Sequence, residues 1–126
     1  MKLTLPIIKD RVYDKEKKEV KTTRGTLDVQ LITSYRAHLK WEEQFQKTLG
    51  IDLVNYTQRV HKWAKSEDTA KANLLGILKV LYCHVDSPEL PDFAAFTDML
   101  DYSLADEILE VLSVVLDEIG KSASKN

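Results

Sequence analysis

The side chains with the chemistry of a site are few: His38 with Glu42, His61, the adjacent Cys83 and His84, and Asp86. His38 and Glu42 are spaced i,i+4, so on a helix both project to one face, where an imidazole and a carboxylate can share a metal ion. Two ligands are too few to hold one. His61, Cys83, His84 and Asp86 would have to converge on them, and neither H-E-x-x-H nor C-x-x-C spacing occurs. A hydrogen-bonded His38/Glu42 pair at the edge of an apolar face is the better expectation. Cys83 beside His84 has the composition of a nucleophile with its base, but adjacent helical residues diverge by about 100° and do not face one another. A buried structural cysteine is expected instead. No G-x-S-x-G, P-loop or G-x-G-x-x-G is present. The chain therefore reads as a non-enzyme with no cofactor and no resident metal.

The elements that would position these residues belong to a chain of 126 residues, which suits one domain. Eighteen Lys and Arg against 20 Asp and Glu give a net charge of −2, with no general attraction to nucleic acid or an anionic membrane. A recognition helix is also unsupported, because residues 86–119 hold ten acids and no Lys or Arg. One cysteine excludes an internal disulfide and suits a reducing compartment. The start, MKLTLPIIKD, is too short an apolar run for a secretory signal. The longest apolar stretch, LLGILKVLY, contains Lys79 and falls far below the ~20 residues that span a bilayer. A soluble cytoplasmic protein is expected.

Residues 1–27 alternate weakly around the charged run DKEKKE, which predicts a short β-hairpin or a mobile arm, with Gly25 as a break and Asp28 as a helix cap. From Leu31 the period becomes helical. Leu31, Tyr35 and Leu39 repeat every four residues, as do Trp41, Phe45 and Leu49, and Gly50 ends the helix. Asp52 then caps a helix burying Leu53, Tyr56, Val60, Trp63 and Ala64, and Ser66 or Asp68 caps the next. TAKANLLGILKVLYCHV is apolar almost all round and predicts the central core helix. Two prolines make DSPELPDF a connection, FAAFTDML a short helix, and DEILEVLSVVLDEIG a last one with Gly120 as its C′ residue. The expected fold is mainly α: a compact domain of about five helices over residues 28–120, preceded by the β element or arm and followed by a frayed tail at 121–126.

The order of these elements carries a resemblance. YRAHLKWEEQF running into GIDLVNYTQRV, then LLGILKVLYCHV, SPELPDFAAFTDML and DEILEVLSVVLDEI, is similar to the tail assembly chaperones of long-tailed bacteriophages, especially those of Gram-positive hosts. It covers about residues 30–120 and is most specific at Arg36, Trp41, Glu42 and Phe45, followed by Asp52, Leu53 and Tyr56. The resemblance implies binding without chemistry. Such proteins hold the long, apolar, helical tape measure protein in soluble form in the host cytoplasm until the tail tube protein polymerises around it, and they are absent from the mature virion. A small helical adaptor or regulator of phage or mobile-element origin, binding one folded protein, is the alternative.

Tyr35, Trp41, Phe45, Tyr56 and Trp63, with Arg36 and Glu42, are the expected partner-binding residues, since aromatics and Arg anchor interfaces. The same stripe at helical spacing is also the pattern of a core, so at least one of the five aromatics is expected on the surface. The family is commonly made in two lengths by a −1 ribosomal frameshift, and Ser124, Lys125 and Asn126 permit a slippery codon run. Charge adds an expectation of its own. Residues 1–24 carry a net +4 and residues 86–119 a net −10. Either both are solvated, or Lys15, Lys17 and Lys18 of one copy face Asp98, Asp101 and Glu110 of the next, giving a ring or spiral homo-oligomer.

Overall fold

The alternation at the start of the chain runs much further than its composition suggests. In the computed structural model, which describes residues 1–124, β1 (Lys2–Asp14) and β2 (Glu19–Leu31) form a long antiparallel hairpin whose turn holds Lys18 at φ 52°. Leu3, Leu5 and Ile7 stand opposite Val29, Leu27 and Gly25, and their apolar side chains join the core. On the outer face Thr4 donates to Asp28 at 3.1 Å and Lys2 lies 3.3 Å from the same carboxylate. This is the alternation of a sheet covered on one side.

Gly25 and Asp28, expected as a break and a helix cap, lie inside β2. The register shifts at Lys9, between Ile8 opposite Arg24 and Asp10 opposite Thr23, and a Cβ on Gly25 would overlap the Lys9 side chain. The glycine serves a β-bulge. A third strand, β3 (Val85–Asp86), pairs with Leu31 and Gln30, completing a sheet of order β1-β2-β3. The mainly α expectation is therefore corrected: the described residues are α+β, with a three-stranded antiparallel sheet, a long hairpin where a short one or a mobile arm was expected, and six helices.

The first helix, α1 (36–49), starts after the strand that takes Leu31, widens into a π-helical turn at Glu42–Gln46, and stops at Gly50 with φ 69°. Asp52 accepts from the Asn55 N–H at the start of α2 (Leu53–Trp63). The run expected as one central helix is two. Ser66 caps α3 (Glu67–Ala72), Asn73 breaks the path at φ −113°, and α4 (Leu74–Cys83) follows. Asp92 caps α5 (Phe93–Asp98), and after a 3₁₀ turn at Tyr102–Leu104 comes α6 (Ala105–Ser124). α6 passes through Gly120, so residues 121–124 are helical and not a frayed tail. Lys125 and Asn126, the rest of that tail and of the slippery run, lie outside the described residues.

α4 is the centre of the core, with Ile77, Leu78, Val80, Leu81, Tyr82 and Cys83 all buried. It approaches α2 at Gly76, where an added Cβ would stand 2.5 Å from Tyr56 Oη and 2.9 Å from the Trp63 ring. In an open helix Gly→Ala gains roughly 0.5–1 kcal/mol. Here overpacking outweighs that gain, at about 1–3 kcal/mol. Gly76→Ala is expected to lower the urea midpoint at unchanged slope. A raised midpoint would mean that the two rings swing aside freely.

Candidate functional site

Of the five aromatics expected at a partner surface, the fold turns four inward. Trp41 is fully buried, its Nε1 donating to the Ile51 carbonyl at 2.9 Å, with ring centroids 5.2 Å from Phe45 and 4.7 Å from Tyr56. Phe45 meets Phe93 edge-on at 5.0 Å, and Tyr56 meets Trp63 edge-on at 5.7 Å. Phe45 and Tyr56 are buried and Trp63 half-buried. The core face of α1 is Ala37, Trp41 and Phe45, which leaves Tyr35 and Leu39 outside. Trp41, Phe45 and Tyr56 are thus corrected from docking residues to core, and Trp63 to the core margin. Tyr35 is 88% exposed, with its ring 5.7 Å from His38, and Leu39, one turn on, is 53% exposed. Glu42 is exposed in the π turn. Arg36 pairs with Asp86 at 2.9 Å, tying α1 to β3 within the chain.

The residues with reactive side chains do not assemble. His38 leans on Tyr35, and no hydrogen bond joins it to Glu42 among the described residues. His61 is exposed on α2. The buried His84 has Nδ1 2.8 Å from the Val80 carbonyl, which assigns that nitrogen the proton. Burial lowers its pKa, opposed by the Val80 bond and aided by the charges of His38 and Lys40. Cys83 is fully enclosed and burial pushes its thiol up to about 12, with Lys40 pulling weakly the other way. A protonated, enclosed thiol is a packing group, not a nucleophile. Among the described residues no three His, Cys, Asp or Glu gather where they could hold a metal ion.

One ionised side chain is held in a built environment. Lys40 Nζ donates to the Tyr82 carbonyl at 2.8 Å and the Val85 carbonyl at 2.7 Å, and sits 4.7 Å from the Tyr82 ring centroid. Desolvation lowers its pKa, partly offset by Cys83 and Asp86. Tyr82 is in the last turn of α4, where a cation meets the negative end of the helix dipole, and Val85 opens β3. Lys40 is therefore a structural clasp between α1 and α4.

The basic arm and the acidic segment meet inside one molecule. Arg11 donates to the Asp98 carbonyl at 3.0 Å and lies 3.8 Å from the Asp101 carboxylate; Arg24 reaches Glu107 at 3.3 Å. Hydrogen bonds from Ser103 hold the Asp101 carboxyl below its ordinary value, and Arg11 and Arg24 add to the effect. Asp101, expected at a contact between copies, pairs with the hairpin of its own molecule. Lys15, Lys17 and Lys18 are exposed around the hairpin turn, as are Asp98 and Glu110 on the helical side.

The sequence reading missed an apolar groove of about 460 Å³ between α4 and the start of α6, lined by Leu74, Leu75, Leu78, Leu100, Tyr102 and Ile108. Leu75 is 57% and Tyr102 96% exposed at its mouth. A signal for it exists: a helix apolar on all sides, in so small a domain, has more apolar surface than its own core covers. Among the described residues no helix is long and apolar enough to cross a membrane. Comparison with protein-family models, with curated proteins and with solved structures returns no match.

Proposed function

We propose that this chain is a non-enzymatic tail assembly chaperone that keeps a phage tape measure protein soluble in the cytoplasm of the bacterial host. The resemblance over residues 30–120 supports this reading. So does one observation in particular: Tyr35, the cap residue just before α1, and Leu39, four residues on within it, are both exposed beside a core that already buries Trp41 and Phe45. An exposed aromatic and an exposed leucine one turn apart match the anchor spacing of an amphipathic helix seen from its partner's side. A long apolar helical chain is a large aggregation surface, and many small copies bound along it would cover that surface.

Co-expression with the tape measure protein of the same genome tests the reading. The wild-type chain should move the tape measure protein into the soluble fraction at several copies per partner. Tyr35→Ser/Leu39→Ser should weaken each contact by roughly 2 kcal/mol, about thirtyfold in affinity, with the chaperone's own melting curve unchanged. No rescue by the wild type would overturn the proposal. A one-to-one complex would favour the adaptor reading, and full rescue by the double variant would move the surface elsewhere.

A further inference from the structure

In a molecule of net charge −2, α2 is a basic helix: residues 53–65 hold Arg59, Lys62 and Lys65 and no acid, whereas residues 86–119 hold ten acids and no base. Asn55, Gln58, Arg59 and Lys62 recur at i, i+3, i+4 and i+7, which gathers all four on one exposed face. Together with the turn at Gly50 and Asp52 they line a shallow depression of about 490 Å³. Its cations are unpaired. Of the four arginines, Arg11, Arg24 and Arg36 each meet a carboxylate, and Arg59 alone meets none among the described residues. Lys62 has no acidic partner there either. The depression also has an acceptor and an apolar margin. Asp52 takes both the Asn55 N–H and the Asn55 side-chain amide on its Oδ1, which leaves Oδ2 to accept from a bound chain. Val54 is 52% and Leu49 38% exposed, each next in sequence to a lining residue.

We infer that this face of α2 binds an acidic helical segment of another protein, with two of its carboxylates on Arg59 and Lys62 and an apolar neighbour against Val54. Arg59 offers a planar fork and Lys62 a point charge one turn on, which suits two carboxylates spaced i,i+4 on a helix, about 5–6 Å apart. A polypeptide fits the face better than a nucleic acid does. A phosphate chain would meet Asp52 in the depression and the ten acids of residues 86–119 elsewhere, and no aromatic ring lines the depression for a base to stack on. A second copy is also a poor occupant. On α6 the acids at helical spacing are Asp106 with Glu110 and Glu107 with Glu110, and Lys71 and Arg24 of the same molecule already hold Asp106 and Glu107.

Both cations are exposed, so the contact is weak and fades as the Debye length falls from about 10 Å at 0.1 M salt to about 3 Å at 1 M. The inference does not rest on the tape measure reading, and its test needs only this chain and a peptide. The probe is a labelled helical peptide with glutamates at i,i+4 and a leucine beside them, followed by fluorescence anisotropy at about 0.1 M salt. The wild-type chain should bind it saturably and should not bind the same peptide with glutamines in place of the glutamates. Arg59→Gln/Lys62→Gln should weaken binding roughly tenfold, the sum expected of two exposed ion pairs. Lys15→Gln/Lys17→Gln removes the same charge from the hairpin turn and should change binding by less than about twofold. Glutamine is a good helix former, so the α2 variant should melt like the wild type. Amide shifts of the wild type locate the peptide without any substitution, and should move at Asn55, Gln58, Arg59 and Lys62. A wild-type chain that does not bind the peptide would overturn the inference, as would an equal loss in the two variants. Tighter binding of single-stranded DNA than of the peptide would give the face to nucleic acid, and altered sedimentation of the Arg59→Gln/Lys62→Gln chain by itself would give it to a second copy; either result overturns the inference too.

Discussion

Trp41→Ala is expected to destabilise the protein by about 4 kcal/mol, within the ~3–5 kcal/mol typical of removing a large buried aromatic. The side chain is fully buried, lies against Phe45 and Tyr56, and donates its indole N–H to the Ile51 carbonyl. Truncation opens a cavity between α1 and α2 and leaves that carbonyl without its partner, and the two costs add. Against a total stability of about 5–15 kcal/mol this is a large fraction, worth on the order of 15 °C in melting temperature. Tyr35→Ser, six residues earlier in the sequence but exposed in the fold, is expected to stay within about 0.5 kcal/mol. Urea unfolding of the two variants side by side checks the pair. A loss below about 1 kcal/mol at Trp41 would mean that its burial is not real. The contrast also decides how docking is tested: a double variant of Trp41 and Trp63 would report unfolding, whereas Tyr35 and Leu39 can be changed on an intact fold.

Why the sequence placed Trp41 and Tyr35 in one class is instructive. Spacing of four marks both the stripe Leu31, Tyr35, Leu39 and the stripe Trp41, Phe45, Leu49. The first stripe crosses an element boundary, because Leu31 ends β2 and α1 begins only at Arg36. A period counted across two elements has no face. The true core stripe includes Ala37, too small to register as hydrophobic weight, and the π turn at Glu42–Gln46 changes the phase thereafter. The caps, by contrast, were legible. Asp52 and Ser66 act through their own side chains on N–H groups three residues on, a local interaction that a local pattern records.

The hairpin was legible in place and not in length. Its charged turn and flanking β-formers are local, but β2 runs on through Gly25 because a glycine there makes room for Lys9 from the other strand. That reason is tertiary, so a glycine followed by Thr26 and Asp28 reads as a helix start. The charge segregation between residues 1–24 and 86–119 was legible as well, yet only coordinates show that Arg11 and Arg24 satisfy part of it inside one molecule. What they leave over is the lysines of the turn, which stay exposed.

Lys40→Met is expected to cost about 2–3 kcal/mol, although it replaces a desolvated cation with an apolar side chain of similar length. The two effects oppose each other. Desolvation lowers the Lys40 pKa, which shows that burial penalises its charged form, and on that ground alone methionine would stabilise. The ammonium, however, is the donor to the Tyr82 and Val85 carbonyls, and it lies over the Tyr82 ring. Charge-assisted bonds are worth about 1.5–3 kcal/mol each, so losing two outweighs the relief of desolvation. Arginine should not restore them fully, because its planar fork cannot place a compact charge between two carbonyls. The expected order of stability is wild type, then Lys40→Arg, then Lys40→Met. Hydrogen exchange supplies a local readout: the Ile32 N–H, bonded to the His84 carbonyl at 2.7 Å, and the Leu31–Val85 pairing should lose protection first, since both hang on the segment that Lys40 clasps. If Lys40→Met equals or exceeds the wild type, desolvation dominates and the clasp is not what holds β3 to the sheet.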